Sequence, residues 1–424
     1  VKVASDKFTG YVVIKACKKC KGEMVDSADP VDVLRLGNDI PKSGSITDND
    51  AVVYITRKGD KNKSNVYRAV GTFNANMFGA NAAWLNGKYV GRIDGAFKQG
   101  VFDVTDLAAD RNIVAVRVIK NDHFGAVKEK NRESPDFNGG ALGADNPTFH
   151  ASVGWDWIPT VRGREAGIWN DVRLVCSEDI RIAHPLVQSR INSDGSAEIT
   201  ATVELTNLSG RPISGTLRGG IGGIEFERDV TIEAGGTVPV TFAPSDFSQL
   251  QNCNLALWWP NGMGEANLHD AWYSFDDGEK FEYKAGIREF TYSDAMSDLK
   301  IYVNGHRFFP KGGNWGFSEV NLRYGAGEYD KAVGCHREMN LNMIRNWVGQ
   351  TGDDEFYQAC DKYGIVVWQD FWLANPADGP DPDDEQMFVD NARNYLRRIR
   401  SHASIGLYCG RNEGYPPASL NEAL

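Results

Sequence analysis

Three short apolar segments in the C-terminal third of the chain each end in polar and aromatic side chains that suit sugar chemistry. The segments end at Arg345-Asn346-Trp347, at Trp368-Gln369-Asp370 and at Gly410-Arg411-Asn412-Glu413. Tryptophan offers an apolar plate to the C–H face of a pyranose, asparagine and arginine hydrogen-bond hydroxyl groups, and a carboxylic acid can protonate a poor alkoxide leaving group. This combination of residue types predicts a carbohydrate site with acid–base chemistry.

The elements that must position these residues begin near residue 298. Apolar runs at Asn342–Trp347, Ile365–Asp370 and Ile405–Cys409, with a first strand at Arg307–Lys311, predict four parallel strands that are buried on both faces. Apolar stripes between the runs predict three helices, and Ser419-Leu-Asn-Glu422 predicts a capping box that opens a fourth. Such alternation is typical of a (β/α)8 TIM barrel, whose active site lies at the C-terminal ends of its strands.

The domain organisation follows from the change of pattern along the chain. Residues 298–424 supply roughly half of the ~250 residues of an eight-fold barrel, so we expect a truncated barrel. Residues before 298 carry short β-rich segments between glycine, asparagine and aspartate turns, which predicts two β-sandwiches, at 1–176 and 177–297. Asn86-Gly87 is the strongest hairpin signal, because glycine tolerates the positive φ of a tight turn.

Charge and composition exclude several classes of partner. The 424 residues include 46 basic and 57 acidic side chains, a formal charge of −11, which disfavours nucleic acids and anionic membranes. The sequence contains no run of 18 apolar residues, so it predicts no membrane-spanning helix. Cys17 and Cys20 have metal-like spacing but lack a second pair of ligands, so we expect a local disulfide or free thiols, and neither metal nor cofactor. The compartment stays open, with a periplasmic or secreted location favoured.

Four groups of motifs resemble those of glycoside hydrolase family 2, in the order that the family has them. They are similar to parts of its sugar-binding jelly roll, of the end of that module, of its immunoglobulin-like module and of its catalytic barrel. The motifs are Trp84-Leu-Asn-Gly-Lys-Tyr-Val-Gly91 with Gly100-Val-Phe-Asp-Val-Thr-Asp-Leu107; Gly154-Trp-Asp-Trp157 with Gly167-Ile-Trp169; Leu257-Trp-Trp-Pro-Asn-Gly262 with Gly286-Ile-Arg288; and Lys311-Gly-Gly-Asn-Trp315, Asn342-Met-Ile-Arg-Asn-Trp347, Val367-Trp-Gln-Asp-Phe371 and Asn412-Glu413. The resemblance implies a jelly-roll β-sandwich, an immunoglobulin-like β-sandwich and the first half of a (β/α)8 barrel.

The resemblance also implies roles for residues at the ends of the barrel strands. Glu413 would act as general acid and then general base, and Asn412 would bind the hydroxyl next to the reacting carbon. Arg345 would hold a catalytic carboxylate, or form an ion pair inside the barrel, and the two roles are compatible. Asp370 would bind substrate or accept hydrogen bonds from backbone amides.

Tryptophans supply the rest of the predicted substrate site. Trp315, Trp347 and Trp368 are either sugar platforms or barrel packing. Trp155 and Asp156 lie in the first module, where the resemblance implies a loop that reaches over the pocket and binds the terminal sugar; the alternative for Trp155 is packing at a domain interface.

The implied reaction is retaining hydrolysis of a terminal β-linked sugar by double displacement, in which a second carboxylate forms a glycosyl-enzyme intermediate. In the family this nucleophile is a glutamate on a later barrel strand, so we expect the 424 residues alone to be inactive. The barrel stretch is closest to endo-β-mannosidases and exo-β-glucosaminidases, which favours β-mannosides or β-glucosaminides. Alternatives are β-galactosidase or β-glucuronidase activity, or a non-catalytic carbohydrate-binding protein; a homodimer is possible.

Overall fold

The computed structural model describes residues 80–109, 111–119, 172–294, 297–315, 324, 327–349, 352–373, 381–382 and 384–424, together with the backbone of five strands between residues 2 and 72. Trp155, Asp156, Cys17 and Cys20, for which the sequence makes predictions, lie outside the described residues. The chain forms two compact units, one of residues 1–176, 372–395 and 410–424 and the other of residues 177–371 and 396–409.

The first unit is built on β-sheets. A five-stranded sheet has the order β3-β4-β9-β6-β7, a three-stranded sheet has the order β10-β5-β8, and β1 pairs with β2. The strands are β1 (Lys2–Ser5), β2 (Phe8–Tyr11), β3 (Val13–Ala16), β4 (Ala51–Lys58), β5 (Val66–Thr72), β6 (Ala80–Leu85), β7 (Lys88–Asp94), β8 (Gln99–Asp103), β9 (Arg111–Ile119) and β10 (Val172–Ser177). Buried Leu85 and Val104 pack with Phe102 and Val114, so both larger sheets contribute to one apolar cluster.

The predicted hairpin at Asn86-Gly87 is confirmed. Asn86 and Gly87 connect β6 to β7 with φ angles of 50° and 79°, which is the left-handed backbone that a two-residue hairpin turn requires. The Asn86 side chain then fixes the turn, because its amide donates to the Leu107 carbonyl at 2.7 Å and its oxygen accepts from the Ile113 amide at 2.8 Å.

Seven strands in the second unit form two antiparallel sheets, β11-β12-β15 and β14-β13-β16-β17. They are β11 (Ile180–Ile191), β12 (Ala197–Asn207), β13 (Ile213–Ile221), β14 (Ile224–Ile232), β15 (Thr237–Phe242), β16 (His269–Phe275) and β17 (Phe281–Ala285). Every second residue of β12 is buried, as expected for a strand with one face toward the core of a sandwich. This is the predicted immunoglobulin-like architecture.

A small antiparallel sheet follows, with the order β18-β19-β20. Its strands are β18 (Phe290–Tyr292), β19 (Ile301–Val303) and β20 (His306–Phe308). Buried Ile301, Val303 and Phe308 share an apolar cluster with Trp258 and with Met343, a residue of the next sheet.

The last sheet is parallel, with strands in chain order β21-β22-β23-β24. It contains β21 (Gly312–Trp315), β22 (Met343–Asn346), β23 (Val366–Asp370) and β24 (Ile405–Cys409), and the helices are α1 (Glu328–Glu338), α2 (Asp354–Tyr363), α3 (Glu385–Ile399) and α4 (Ala418–Ala423). The predicted alternation of strands and helices is confirmed. Gly364 ends α2, with a φ of 68° and its N–H bonded to the Cys360 carbonyl.

Two predictions about this region are wrong. The first parallel strand is β21, whereas Arg307 belongs to β20 of the antiparallel sheet. Glycine explains the error: a Cβ at Gly312 would lie 1.8 Å from the Met343 carbonyl oxygen, so a sequence that looks like a turn allows β21 to approach β22. Ser419 does not cap α4, because the helix starts at Ala418 and the Ser419 hydroxyl donates to Glu385 at 2.6 Å instead.

No helix among the described residues is long and apolar enough to cross a membrane.

Candidate active site

The parallel register divides the residues at the ends of β21, β22 and β23 into two rows. Arg345 is the register neighbour of Asn314 and Trp368, and Asn346 is the register neighbour of Trp315 and Gln369. Because successive side chains of a strand point to opposite faces, the Arg345 row and the Asn346 row lie on different faces of the sheet. We call them the arginine face and the helix face.

On the arginine face, Arg345 and Asp370 form a partly buried ion pair. The Arg345 Nε donates to both carboxylate oxygens of Asp370 at 3.2 and 3.0 Å, and one terminal nitrogen lies 2.8 Å from Oδ2. The Asp370 side chain is fully buried, whereas that of Arg345 is 21% exposed. The guanidinium also lies 4.8 Å from the ring centroid of Trp368, within the range of a cation–π contact. Arg345 therefore contacts two other predicted site residues, Asp370 and Trp368.

The Asp370 carboxylate also fixes the backbone after β22. Its Oδ2 accepts the Val348 amide at 3.0 Å, and Val348 has a φ of 43°, a left-handed conformation that is unfavourable for a β-branched residue. Burial raises the pKa of the Asp370 carboxyl above its ordinary value, and the hydrogen bond and charge of Arg345 oppose this shift. Asp370 thus accepts a backbone amide, one of its two predicted roles, and it also holds Arg345; its contact with a substrate stays a prediction.

The helix face carries packing rather than charge. Trp315 is 5% exposed, and its ring centroid lies 5.3 to 5.4 Å from those of Phe356 on α2 and of Tyr324 and His336. Trp347 is 2% exposed, in the turn that follows β22. Ring packing accounts for the burial of Trp315, and contact of either tryptophan with a sugar stays a prediction. Trp368, on the arginine face, is only partly buried.

Glu413 lies in the turn that follows β24, in a segment that we call the acid loop (residues 410–417). Glu413 has a φ of 50° and an exposed side chain. The residues before it are anchored: buried Arg411 pairs with Asp381, and the Asn412 amide donates to the Leu373 carbonyl at 2.9 Å. A non-glycine residue in a left-handed turn that follows anchored residues is typical of a site where the direction of a side chain matters.

Two features of the region escaped the sequence analysis. Asn314 is exposed and is the register neighbour of Arg345, which a correct placement of the first strand would have indicated. A buried polar network on the helix face joins Tyr357, Gln369 and Asn346: the Gln369 oxygen accepts from the Tyr357 hydroxyl at 2.7 Å and from the Asn346 amide at 3.0 Å. The sequence signal was present, since two amides occur in buried strands, but their shared partner on a helix was not visible.

Comparisons with known proteins identify the family. Residues 80–170 match the family model described as glycosyl hydrolase 2 galactose-binding domain-like, and residues 180–288 match the model of glycosyl hydrolases family 2. The chain belongs to glycoside hydrolase family 2.

Relatives in sequence carry related names. A mannosylglycoprotein endo-beta-mannosidase of Lilium longiflorum is 33% identical over 370 residues, which are 80% of this chain and 38% of that protein. An exo-beta-D-glucosaminidase of Streptomyces avermitilis is 27% identical over 82% of this chain and 38% of that protein. The chain thus spans well under half of the length of these relatives.

Solved structures share the architecture. A beta-D-mannosidase from Dictyoglomus thermophilum matches with a TM-score of 0.64 and 26% identity over 85% of this chain and 45% of that chain. An exo-chitosanase of Amycolatopsis orientalis matches with a TM-score of 0.66 and 18% identity over 85% of this chain and 41% of that chain, a likeness of fold.

Proposed function

We propose that this protein is a retaining β-glycosidase that hydrolyses terminal β-mannosides or β-glucosaminides by double displacement, with Glu413 as general acid and then general base. The observation that carries the proposal is the contact group of Arg345, Asp370 and Trp368 on two adjacent parallel strands, with Asn412-Glu413 in the turn after the next strand. Active sites of parallel (β/α)8 barrels lie at such strand ends.

The other site residues take roles that their chemistry allows. Asn412 binds the hydroxyl next to the reacting carbon, and Trp368 offers its exposed part to the sugar ring. Arg345 positions a catalytic carboxylate through the part of its guanidinium that Asp370 leaves exposed. Trp155 and Asp156 reach the terminal sugar from the first module, and Trp315 and Trp347 support the strand ends.

The proposed architecture has three domains: a jelly-roll sandwich at 1–176, an immunoglobulin-like sandwich at 177–297, and the first half of a (β/α)8 barrel at 298–424. The nucleophile is a glutamate other than Glu413, and it is not one of the described residues at the strand ends. Asp370 does not suit this role, because its carboxylate is fully buried and engaged by Arg345 and by the Val348 amide. Because the family resemblance assigns the nucleophile to a later barrel strand, we expect the 424 residues alone to cleave aryl β-glycosides at no appreciable rate.

The substrate class rests on the named relatives. An endo-beta-mannosidase, an exo-beta-D-glucosaminidase and a beta-D-mannosidase all resemble this chain, which supports a β-mannoside or a β-glucosaminide over a β-galactoside or β-glucuronide. A screen of the full-length protein against the four aryl β-glycosides tests this choice. Preference for the galactoside or glucuronide would contradict it.

The test of Glu413 compares Glu413→Gln with wild type in the full-length protein. General acid catalysis contributes typically 10²–10⁴-fold, so kcat should fall by about that factor on a glycoside with a poor leaving group. A dinitrophenyl glycoside needs no protonation of its leaving group, and the rate of its first bond cleavage should fall far less. The control is Glu422→Gln, which changes a different exposed glutamate, located in α4. Equal activity of Glu413→Gln and wild type on both substrates would remove Glu413 from the mechanism.

A further inference from the structure

We infer that the first β-sandwich positions the general acid. It does so through a loop that packs against the segment to which the acid loop is hydrogen-bonded. This docking loop comprises residues 95–99, and Phe97 is its positioning residue. The inference rests on the proposed role of Glu413, but the packing that supports it is independent of that role. All the residues concerned belong to the first compact unit.

The docking loop inserts an aromatic ring between two others. Phe97 stacks on Trp372 with ring centroids 3.9 Å apart and an angle of 11° between the planes, and it meets Tyr395 edge-on at 5.9 Å. The three residues are at most 1% exposed. Trp372 and Tyr395 also pack edge-on at 5.4 Å, so each ring touches the other two. Removal of the Phe97 ring would leave a cavity directly against Trp372.

Two asparagines of α3 hold the backbone of the docking loop. The Phe97 amide donates to Asn391 Oδ1 at 3.0 Å, and the Gln99 amide donates to Asn394 Oδ1 at 2.8 Å. Asn391 is completely buried, and its Nδ2 donates back to the Asp94 carbonyl at 3.0 Å. These bonds fix the depth of Phe97, since a buried amide that loses its partners is strongly unfavourable.

Gly95 permits this close approach. Its φ is 92°, and a Cβ at this position would lie 2.3 Å from the side-chain nitrogen of Asn391. Only glycine combines this backbone conformation with the contact. The loop is therefore built for docking against α3.

The connection to the acid loop is short. Leu373 follows Trp372 directly, and its carbonyl accepts the amide of Asn412, the neighbour of Glu413, at 2.9 Å. A shift of Trp372 into a cavity would move the Leu373 carbonyl and, through it, the backbone that orients Glu413. A misplacement of about 1 Å can cost about 10²-fold in rate, because a general acid must lie within hydrogen-bond reach of the leaving-group oxygen.

A sandwich that served solely as a carbohydrate-binding module would behave differently. Its alteration would weaken the binding of long substrates and raise KM, and it would leave the acid step on a small aryl glycoside unchanged. A positioning role affects kcat on substrates that need protonation, with little change in KM.

The test compares Phe97→Ala with Phe102→Ala in the full-length protein. Phe102 is a phenylalanine of the same sandwich that packs in a separate apolar cluster, so it controls for loss of stability. We expect Phe97→Ala to lower the rate of the first bond cleavage at least tenfold on an aryl glycoside with a poor leaving group, and clearly less on a dinitrophenyl glycoside. Phe102→Ala should change the ratio of the two rates less than twofold. If the ratio of the rates on the two glycosides were the same in Phe97→Ala and Phe102→Ala, the inference would be overturned.

A second measurement needs no activity. Hydrogen exchange of peptides from residues 410–417 should accelerate at least fivefold in Phe97→Ala relative to Phe102→Ala, because the Asn412 amide loses its fixed acceptor. Asn394→Ala, which removes one anchor of the docking loop, should show the same trend if Phe97→Ala does not fold. Unchanged exchange in the folded variant would overturn the inference. An inactive wild-type protein with accelerated exchange would instead overturn the proposed function and leave the positioning contact intact.

Discussion

The two faces of the parallel sheet use neighbouring residues of the same strands in opposite ways. On β22, Arg345 holds a buried carboxylate and leaves part of its guanidinium exposed, whereas the adjacent Asn346 is completely buried in an amide and hydroxyl network. On β23, Asp370 supplies the carboxylate of the ion pair, and Gln369 supplies an amide of the buried network. The pleat therefore separates a charged surface suited to a polar ligand from a neutral network that fastens the strands to α2.

The comparison extends to a second buried carboxylate. Asp353 lies at the start of α2, and the Tyr329 hydroxyl donates to it. Burial raises the pKa of Asp353 to about 6, and the Tyr329 hydrogen bond opposes the shift only partly. Asp370 has a cation within hydrogen-bond distance, whereas Asp353 depends mainly on a neutral hydroxyl. Burial raises the pKa of both carboxyls, and the main opposing contact is a cation at Asp370 and a neutral hydroxyl at Asp353.

The largest effect is expected for the arginine face. Asp370→Ala removes the carboxylate that pairs with Arg345 and accepts the Val348 amide, and the loss of one partner of a buried pair is strongly destabilising. We expect the free energy of unfolding, measured by chemical denaturation, to fall by about 3 kcal/mol, since Arg345 keeps some exposure.

The control for this change is an exposed ion pair of the same unit. Asp270 is 88% exposed and pairs with Lys284, which is 61% exposed, so Asp270→Ala should cost less than about 1 kcal/mol. Equal destabilisation by the two substitutions would mean that the arginine face does not depend on its ion pair.

The elements of this sheet were largely predictable from the sequence, but their register and the position of the first strand were not. Runs such as Ile365–Asp370 are apolar over a length suited to strands, and the helices between them carry clear stripes. Gly312-Gly313 carries no such signal, because what makes it a strand is the space beside the Met343 carbonyl. Local patterns report burial, whereas register depends on contacts between distant segments.

The same limit applies to the site. The types of Arg345, Asp370 and Glu413 and their places after strands indicated a polar site, and the resemblance assigned roles to them. The ion pair itself requires a register that brings Arg345 beside Trp368 and within reach of Asp370. The docking of Phe97 against Trp372 lies further beyond local patterns, because it joins a loop of the first sandwich to a segment hundreds of residues later.

A pH series tests the raised pKa of Asp353. The pKa of Asp353 is raised above that of an unfolded chain, about 3.9, so the folded state binds more protons between pH 4 and 6. Its contribution therefore makes the free energy of unfolding fall as pH rises through this window, and Asp353→Asn should remove that component.

The pKa of Asp330, on α1, is shifted in the opposite direction to that of Asp353. The hydrogen bond from Lys362 lowers the pKa of Asp330, so its contribution is present above about pH 4 and is lost as pH falls. Asp330→Asn should thus leave the slope between pH 4 and 6 nearly unchanged. A wild-type slope that survives in Asp353→Asn would assign the proton uptake to another group.

The smallest effect is expected for the neutral network of the helix face. Tyr357→Phe removes the hydroxyl that donates to Gln369 and keeps the ring, which packs on Phe356 and His402. The free energy of unfolding should fall by about 1 kcal/mol, and kcat/KM of the full-length protein should stay within twofold of wild type, because this network faces away from Arg345.

Tyr363→Phe in the same helix is the matched control. The Tyr363 hydroxyl donates to exposed Asp330 at 3.2 Å, where water can replace it, so its loss should cost only a few tenths of a kcal/mol. If Tyr357→Phe lowered kcat/KM as strongly as it lowered stability, the helix face would share the function of the arginine face. The separation by the pleat predicts instead that stability changes and catalysis does not.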